Sequence, residues 1–583
     1  YGTTFVAPYY SGEYSGVMPE VDLMTTKYNT LRIHGLYNDF ADFYSEQGTS
    51  PYVKATSTNS EDQVHITNLA EIDDSLKGFQ NCFSALSGNV SYVFLSPYFN
   101  GVEYHGKIVR LTAGIFNTTG DMEDKWASEF RDMTGTEGID VLDLTKLNET
   151  IFPDTDGLRG FISGFSYGDH AYFVPFFNGR AYSSKLVRVH VDHFDADHVE
   201  VLDLEDATHI PEAKGLKGYY GGFAPSFNTS GVSGITANYG YLVPYKNMKG
   251  PVGGVNTQKT SDGFADNLIF DEQESYGGDH LRTNYHGRLV RVNLDTFNAS
   301  DVEVIDLQNI DPDLKGFASG FVGGRHGYLV PYSHGMRKFF GKVVRFDLFD
   351  FSLEKVEVLD LTGVNSELRG FLGGFSFDHY AFFVPYQNGR SDVNDRGRSQ
   401  FSKVVRVDLN DFSPNSVIYV DVSTAYRKNL PDTPDASLRG FNQGFVAGRF
   451  LYLIPHFNGI WFGKICRVDL YDFELYADLQ LRGESTKLET GYKGVQELDL
   501  SRFSDDLKGF SGATLRLRPP PGKRWVAESE EKAFGYQEFN INFLMGNSAK
   551  SVDVGVDGDG DGDGESDEKI GKPTKQMTAL KEG

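Results

Sequence analysis

Apolar and polar positions along this chain fall into short blocks of strand length, and four kinds of block recur in a fixed order. The first is small and Gly-rich, as in Gly370-Phe371-Leu372-Gly373-Gly374-Phe375. The second is apolar and closes on Pro-aromatic, as in Tyr328-Leu329-Val330-Pro331-Tyr332. The third alternates apolar and polar, as in Lys342-Val343-Val344-Arg345-Phe346-Asp347-Leu348, and the fourth is short, as in Val356-Glu357-Val358-Leu359-Asp360-Leu361. Each block spans about 5–7 residues, favours Val, Phe and Tyr, and is bounded by turn residues, which predicts β-strands. Asn-Gly follows the second strand at Asn100-Gly101, Asn178-Gly179, Asn388-Gly389 and Asn458-Gly459. That dipeptide tolerates the positive φ of tight turns. Proline would interrupt a ladder, so it is expected at the end of its strand.

The blocks belong to a repeat. A phrase Leu-basic-Gly-aromatic occurs seven times, at Leu76–Phe79, Leu158–Phe161, Leu216–Tyr219, Leu314–Phe317, Leu368–Phe371, Leu438–Phe441 and Leu507–Phe510. A core unit of about 55 residues with variable insertions accounts for the spacing. The chain opens on a second strand, Thr4-Phe5-Val6-Ala7-Pro8-Tyr9, and its seventh first strand, Gly509 to Leu515, comes last. Pairing those two pieces closes a ring and removes the exposed edges of an open array. Seven such units resemble a seven-bladed β-propeller, and loosely the bacterial surface propellers whose blades run Gly-rich strand, Tyr-Leu-Tyr-Val strand, Val-Asp strand. The Trp-Asp repeat, the kelch double-Gly and the Asp-box are absent, and three Trp exclude the Trp-docking repeat of quinoprotein propellers. The expected fold class is all-β: a seven-bladed β-propeller over residues 1–518, closed by strand swapping. An aromatic-containing extension follows at 519–550 and a low-complexity acidic Gly/Asp-rich tail at 551–583. An open β-solenoid or tandem domains are the alternatives that the phase of the repeat disfavours.

Composition narrows the function classes. Of 583 residues, 39% are apolar and 14% aromatic, too many for a disordered chain. Two Cys exclude a disulfide framework and a Cys-rich zinc protein. No apolar run reaches about 18 residues, so no membrane span is expected. A formal charge of -26 argues against nucleic acid as a partner, because phosphates would be repelled. Tyr1 is not an initiator residue, which implies a processed or incomplete chain. Sequons at Asn89, Asn117, Asn148, Asn228 and Asn298 fit a secreted or cell-surface protein.

Repeated charges read as structure. The third strand is expected to carry an Arg in every unit, at Arg32, Arg110, Arg188, Arg291, Arg345, Arg406 and Arg467. An Asp two residues on, as at Asp347, Asp408 and Asp469, shares its face. The fourth strand adds Asp143, Asp203, Asp306, Asp360, Asp421 and Asp499. Blades pack face to face, and an Arg buried there needs carboxylates. One Arg–Asp clamp per blade is therefore predicted, ahead of a ring of anion-binding arginines. The basic residue of the phrase is expected to pair with the acids that precede it, as in Asp73-Asp74 and Asp505-Asp506.

Function is expected where the units differ. The loop after the second strand and the loop between blades open on one face. The fourth unit carries the largest insertion there, about 246–286, with Asp271, Tyr276, Asp279, His280, Tyr285 and His286. The sixth carries another, about 390–400, with Arg390 and Arg396. These eight residues are the candidate partner-binding set of a non-enzymatic binding or scaffold protein, the partner being a protein or a glycan. The alternative is a hydrolase or lyase with a metal-assisted site at the central channel mouth. It needs convergent Asp, Glu or His from the first strands, whose polar or large members are only Gln80, Asn81, Tyr220, Asn442 and Gln443. His170, His326 and His379 occupy equivalent turns in three blades and read as turn residues. In the tail, Asp557, Asp559, Asp561, Asp563 and Glu568 have calcium-loop spacing. Gly564 stands where an EF-hand places an apolar residue, and neither flank reads as an amphipathic helix. A disordered acidic tract offering weak oxygen ligands to calcium is the expectation, with no other cofactor.

Overall fold

In blades two to seven the predicted blocks fold as strands, and each four consecutive blocks pair into one antiparallel sheet. In this computed structural model the described residues are 3–22, 64–115, 138–152, 154–225, 238–247, 285–334, 338–389, 399–424, 436–447, 450–470, 472–473, 476 and 494–515. Among them stand seven four-stranded sheets, the blades of a seven-bladed β-propeller. Blade two shows the plan: Phe79–Ser87 innermost, then Val90–Pro97, Lys107–Ile115 and Ile139–Asp143 outermost. Blades three to seven open on Phe161–Tyr167, Tyr219–Phe223, Phe317–Gly323, Phe371–Phe377 and Phe441–Ala447. Blade one is assembled from both ends of the chain. Gly512–Leu515 lies innermost against Thr3–Ala7, in the register Thr4 to Leu515 through Ala7 to Gly512. The expected strand swap closes the ring, so no blade is left with an unpaired inner edge. In blades two to seven the second strand ends on its proline, as at Pro97, Pro175 and Pro331, where no further ladder bond is needed, and in blade one it ends at Ala7, just before Pro8.

The phrase Leu-basic-Gly-aromatic is the joint between blades. All seven of its Leu and all seven of its aromatics are buried. Its Gly meets the carbonyl of the next hairpin. At Gly440 a Cβ would lie 1.9 Å from the Phe457 oxygen, and φ is +72°. Only glycine meets both conditions. The basic residue pairs as expected with the preceding acids: Lys77 Nζ lies 2.5 Å from Asp74 and Arg159 Nη2 2.5 Å from Asp156.

In blades two to five the arginines of the third strands do clip blades together, but not through the predicted Asp, whereas in blades six and seven Arg406 stands opposite Ile418 and Arg467 donates to Gln496 at 2.6 Å. The partner of each of these four is the carboxylate directly opposite on the fourth strand: Asp140 for Arg110, Glu200 for Arg188, Glu303 for Arg291 and Glu357 for Arg345. Register decides this, since Arg345 faces Glu357. Each guanidinium also reaches into the next blade. Arg188 donates to the Leu294 carbonyl at 2.9 Å and lies 4.3 Å over the Phe297 ring. The fourth-strand Asp residues instead cap the turn that leaves the blade; Asp360 Oδ1 accepts from Thr362 N at 2.9 Å. Asp347 pairs with Arg325 at 2.6 Å.

Blade one departs from the rule. Its third strand is Val17–Asp22, not the segment around Arg32, which lies outside the described residues. Glu20 holds the register position of the arginine, opposite Phe5 and His65, and is buried. Val17–Asp22 contains Pro19 and lacks the repeated Arg, which is why the pattern did not identify it.

Candidate functional site

Hairpins after the second strands build one face of the ring. The residue after each proline is a buried aromatic or His: Tyr9, Tyr98, Phe176, Tyr245, Tyr332, Tyr386 and His456. Six of the seven neighbouring pairs have ring centroids 5.7–6.4 Å apart. These rings pack with the bulge residues Ile162, Tyr220, Ala318 and Leu372 of the innermost strands in one apolar cluster. His456 Nδ1 lies 2.7 Å from the Phe510 carbonyl, so that nitrogen carries the proton and Nε2 holds the lone pair. Burial lowers its pKa from 6.5 to about 4.

One residue further on, the sevenfold symmetry breaks. Blades seven, one, two and three place a second aromatic there, and each hairpin returns on another. The eight rings touch in series. Phe457 lies 4.9 Å from Trp461, Trp461 5.0 Å from Tyr10, and Tyr10 5.1 Å from Tyr14. Tyr14 lies 5.1 Å from Phe99, Phe99 4.9 Å from Tyr104, Tyr104 5.2 Å from Phe177, and Phe177 5.4 Å from Tyr182. Most are partly exposed, and the tips Val102 and Ile460 are 88% and 61% exposed. Short hairpins make this possible: Gly101 has φ +97° and its Cβ position lies 3.0 Å from the Tyr14 ring.

Blades four, five and six carry Lys246, Ser333 and Gln387 at the same position. Lys246 Nζ sits 4.9 Å over the Tyr285 ring, and Gln387 Nε2 donates to Ser399 at 2.7 Å. The two large insertions leave from blades four and six, which adjoin the two ends of the arc. The arc is legible in the sequence as Pro-aromatic-aromatic against Pro-Tyr-polar, a contrast between units that repeat-matching averages away.

Between the hairpins of blades two and three lies a cleft of about 340 Å³. Phe99, Val102, Glu103, Tyr104, Asp156, Arg159, Asn178 and Arg180 line it. Asp156 holds Arg159 at 2.5 Å and Arg180 at 2.6 Å, and Arg159 also reaches Glu103 at 2.8 Å.

The sequence-derived candidates divide as follows. Asp271, Tyr276, Asp279, His280, Arg390 and Arg396 lie outside the described residues, as do the tail acids Asp557, Asp559, Asp561, Asp563 and Glu568. Tyr285 and His286 are described and both are buried. Tyr285 packs 5.2 Å from Tyr245, and the His286 ring stands 3.1 Å from the Lys217 carbonyl with its pKa lowered to about 3 by burial. They brace the hairpin base. Of the innermost-strand residues, Asn81 donates to Ser163 at 3.1 Å and Gln443 accepts from Ala513 N at 2.9 Å, which ties neighbouring blades. Among the described residues no three His, Cys, Asp or Glu are placed to hold a metal. His170 and His326 open their second strands, and His379 sits one position earlier, in the turn.

No family model matches this chain, and no curated protein does. Solved structures do. A hypothetical selenium-binding protein from Sulfolobus tokodaii is 9% identical with a TM-score of 0.42, over 80% of this chain and 87% of that one. Hydrazine synthase from Kuenenia stuttgartiensis is 8% identical with a TM-score of 0.39, over 72% and 86%. The WD40 domain of Neurospora crassa Pan2 is 8% identical with a TM-score of 0.32, over 67% and 82%.

Proposed function

We propose that this chain is a binding or scaffold propeller that holds a protein or glycan partner on its hairpin face. The observation that carries the reading is the aromatic arc. Eight rings in contact cover four blades, while the other three blades place Lys246, Ser333 and Gln387 at the matching position. A purely structural need would repeat sevenfold, as the inner ring does. Partly exposed aromatics in a continuous strip supply large contact area with few rotatable bonds, the property of binding hot spots. The exposed tips Val102 and Ile460 extend the strip outward.

The test compares three forms of the full chain, each immobilised: wild type, the arc variant Tyr10→Ala/Trp461→Ala, and the polar-sector control Phe339→Ala. Partners retained by wild type and control but lost from the arc variant support the reading. Partners held equally by all three overturn it, provided the melting temperatures agree within a few degrees.

A further inference from the structure

At the cleft between blades two and three one repeated hydrogen bond is not made. In four other blades the hairpin Asn ties its amide to the loop that enters the blade. Asn100 Nδ2 reaches Ser75 O at 3.5 Å, Asn247 reaches Gly215 O at 3.0 Å, Asn388 reaches Glu367 O at 3.4 Å and Asn458 reaches Ser437 O at 2.8 Å. Asn178 is the blade-three member of this set. Its Oδ1 accepts from Arg180 N at 3.0 Å and Ala181 N at 2.9 Å, as the hairpin requires. Its Nδ2 has no partner among the described residues. The entering loop explains the difference. Asp154 is left-handed at φ +64°, and a 3-10 turn follows at Thr155–Gly157. Asp156 is thereby turned toward Arg159 and Arg180.

From this we infer that the cleft is a site for a neutral saccharide. The inference rests on the reading that the hairpin face binds a partner, and it names the chemistry of one part of that face. Two carboxylates, Glu103 and Asp156, balance two guanidiniums, Arg159 and Arg180. A balanced cleft exerts no net pull on an ion. An anion entering the cleft meets the carboxylates of Glu103 and Asp156 beside both guanidiniums, which repel it. A sugar hydroxyl meets no such repulsion, because it is neutral and donates and accepts at once. It can accept from Asn178 Nδ2 or from the Arg180 guanidinium, which is 76% exposed, while donating to Glu103 or Asp156. Phe99 and Tyr104, both partly exposed, present rings for the C–H face of the sugar.

The experiment incubates the full chain with a printed array of neutral and acidic oligosaccharides, then titrates any retained sugar in solution. Three variants accompany it. Asn178→Asp keeps the Oδ1 bonds to Arg180 N and Ala181 N, but turns the unpartnered donor into an acceptor and adds one negative charge. Arg180→Ala removes an exposed side chain. Asn388→Asp makes the same amide-to-acid change where the amide is engaged. Retention of a neutral saccharide, weakened at least tenfold in Asn178→Asp and Arg180→Ala and unchanged in Asn388→Asp, supports the inference. No retained saccharide, retention of acidic sugars alone, or equal affinity in all forms overturns it. The arc reading is judged on Tyr10 and Trp461, which lie outside the cleft, so the two can fail separately.

Discussion

Replacing His456 by Phe tests how the inner ring responds to acid. Six blades place Tyr or Phe at this position, so the ring has the space and shape for Phe. The histidine is fully buried, and its Nε2 lone pair has no partner among the described residues. Burial lowers its pKa from 6.5 to about 4. Between those values the unfolded chain binds a proton that the folded chain refuses. Stability contributed by the neutral ring is therefore complete above pH 6.5 and is lost as pH falls toward 4. The slope is about 1.4 kcal/mol per pH unit, and the whole loss is about 3 kcal/mol. Phe removes this slope but forfeits the hydrogen bond to the Phe510 carbonyl, which costs about 1 kcal/mol at neutral pH. Urea unfolding of both proteins from pH 4.5 to 7.5 gives the comparison. His105 and His286, also buried with lowered pKa values, are present in both proteins and cancel in the difference. Wild type should be the more stable by about 1 kcal/mol at pH 7.5, and the curves should cross near pH 6 (roughly where the proton cost equals the bond). The variant should lead by about 1.5 kcal/mol at pH 4.5. Parallel curves would refute the argument that burial holds this histidine neutral.

Two further outcomes follow from the packing. Gly440→Ala should destabilise the chain by more than about 4 kcal/mol or prevent folding, because its Cβ collides with the Phe457 carbonyl at positive φ. Gly363→Ala, with nothing within 4 Å of the new methyl, should shift the melting temperature by no more than a degree or two, and a large shift there would undercut the steric reading. Cys82 and Cys466 are buried and form no disulfide, and burial raises the Cys82 pKa. A thiol reagent should titrate neither in the folded protein and both in denaturant; prompt reaction of the native protein would contradict their burial.

The repeat, the four strands of blades two to seven and the swapped closure were legible in the chain because each rests on local pattern. Period-2 alternation, Asn-Gly turns and a proline at a fixed place are short-range signals, and sevenfold recurrence multiplies them. The partner of each arginine was not legible. Asp347 is two residues from Arg345 on the same strand, but the guanidinium pairs with Glu357, which only the register between strands brings opposite it. The third strand of blade one was misplaced for a related reason. Glu20 and Pro19 break the pattern, and only pairing with Thr3–Ala7 identifies Val17–Asp22 as the strand.

Sequence by itself determined that this is a closed ring of seven β-blades, since a polypeptide with seven such units in this phase has one way to bury its strand edges. It also specified the glycines of the joints and the aromatics that follow each proline. Tertiary structure decided what those aromatics make. Trp461 and Tyr10 come from opposite ends of the chain and meet only after Gly512–Leu515 pairs with Thr3–Ala7. Ring closure converts four separate dipeptides into one continuous strip. The cleft lies at one end of it, where the loop that enters blade three carries the αL residue Asp154. Contacts of that kind depend on distances between blades, and those are fixed by packing across the whole ring.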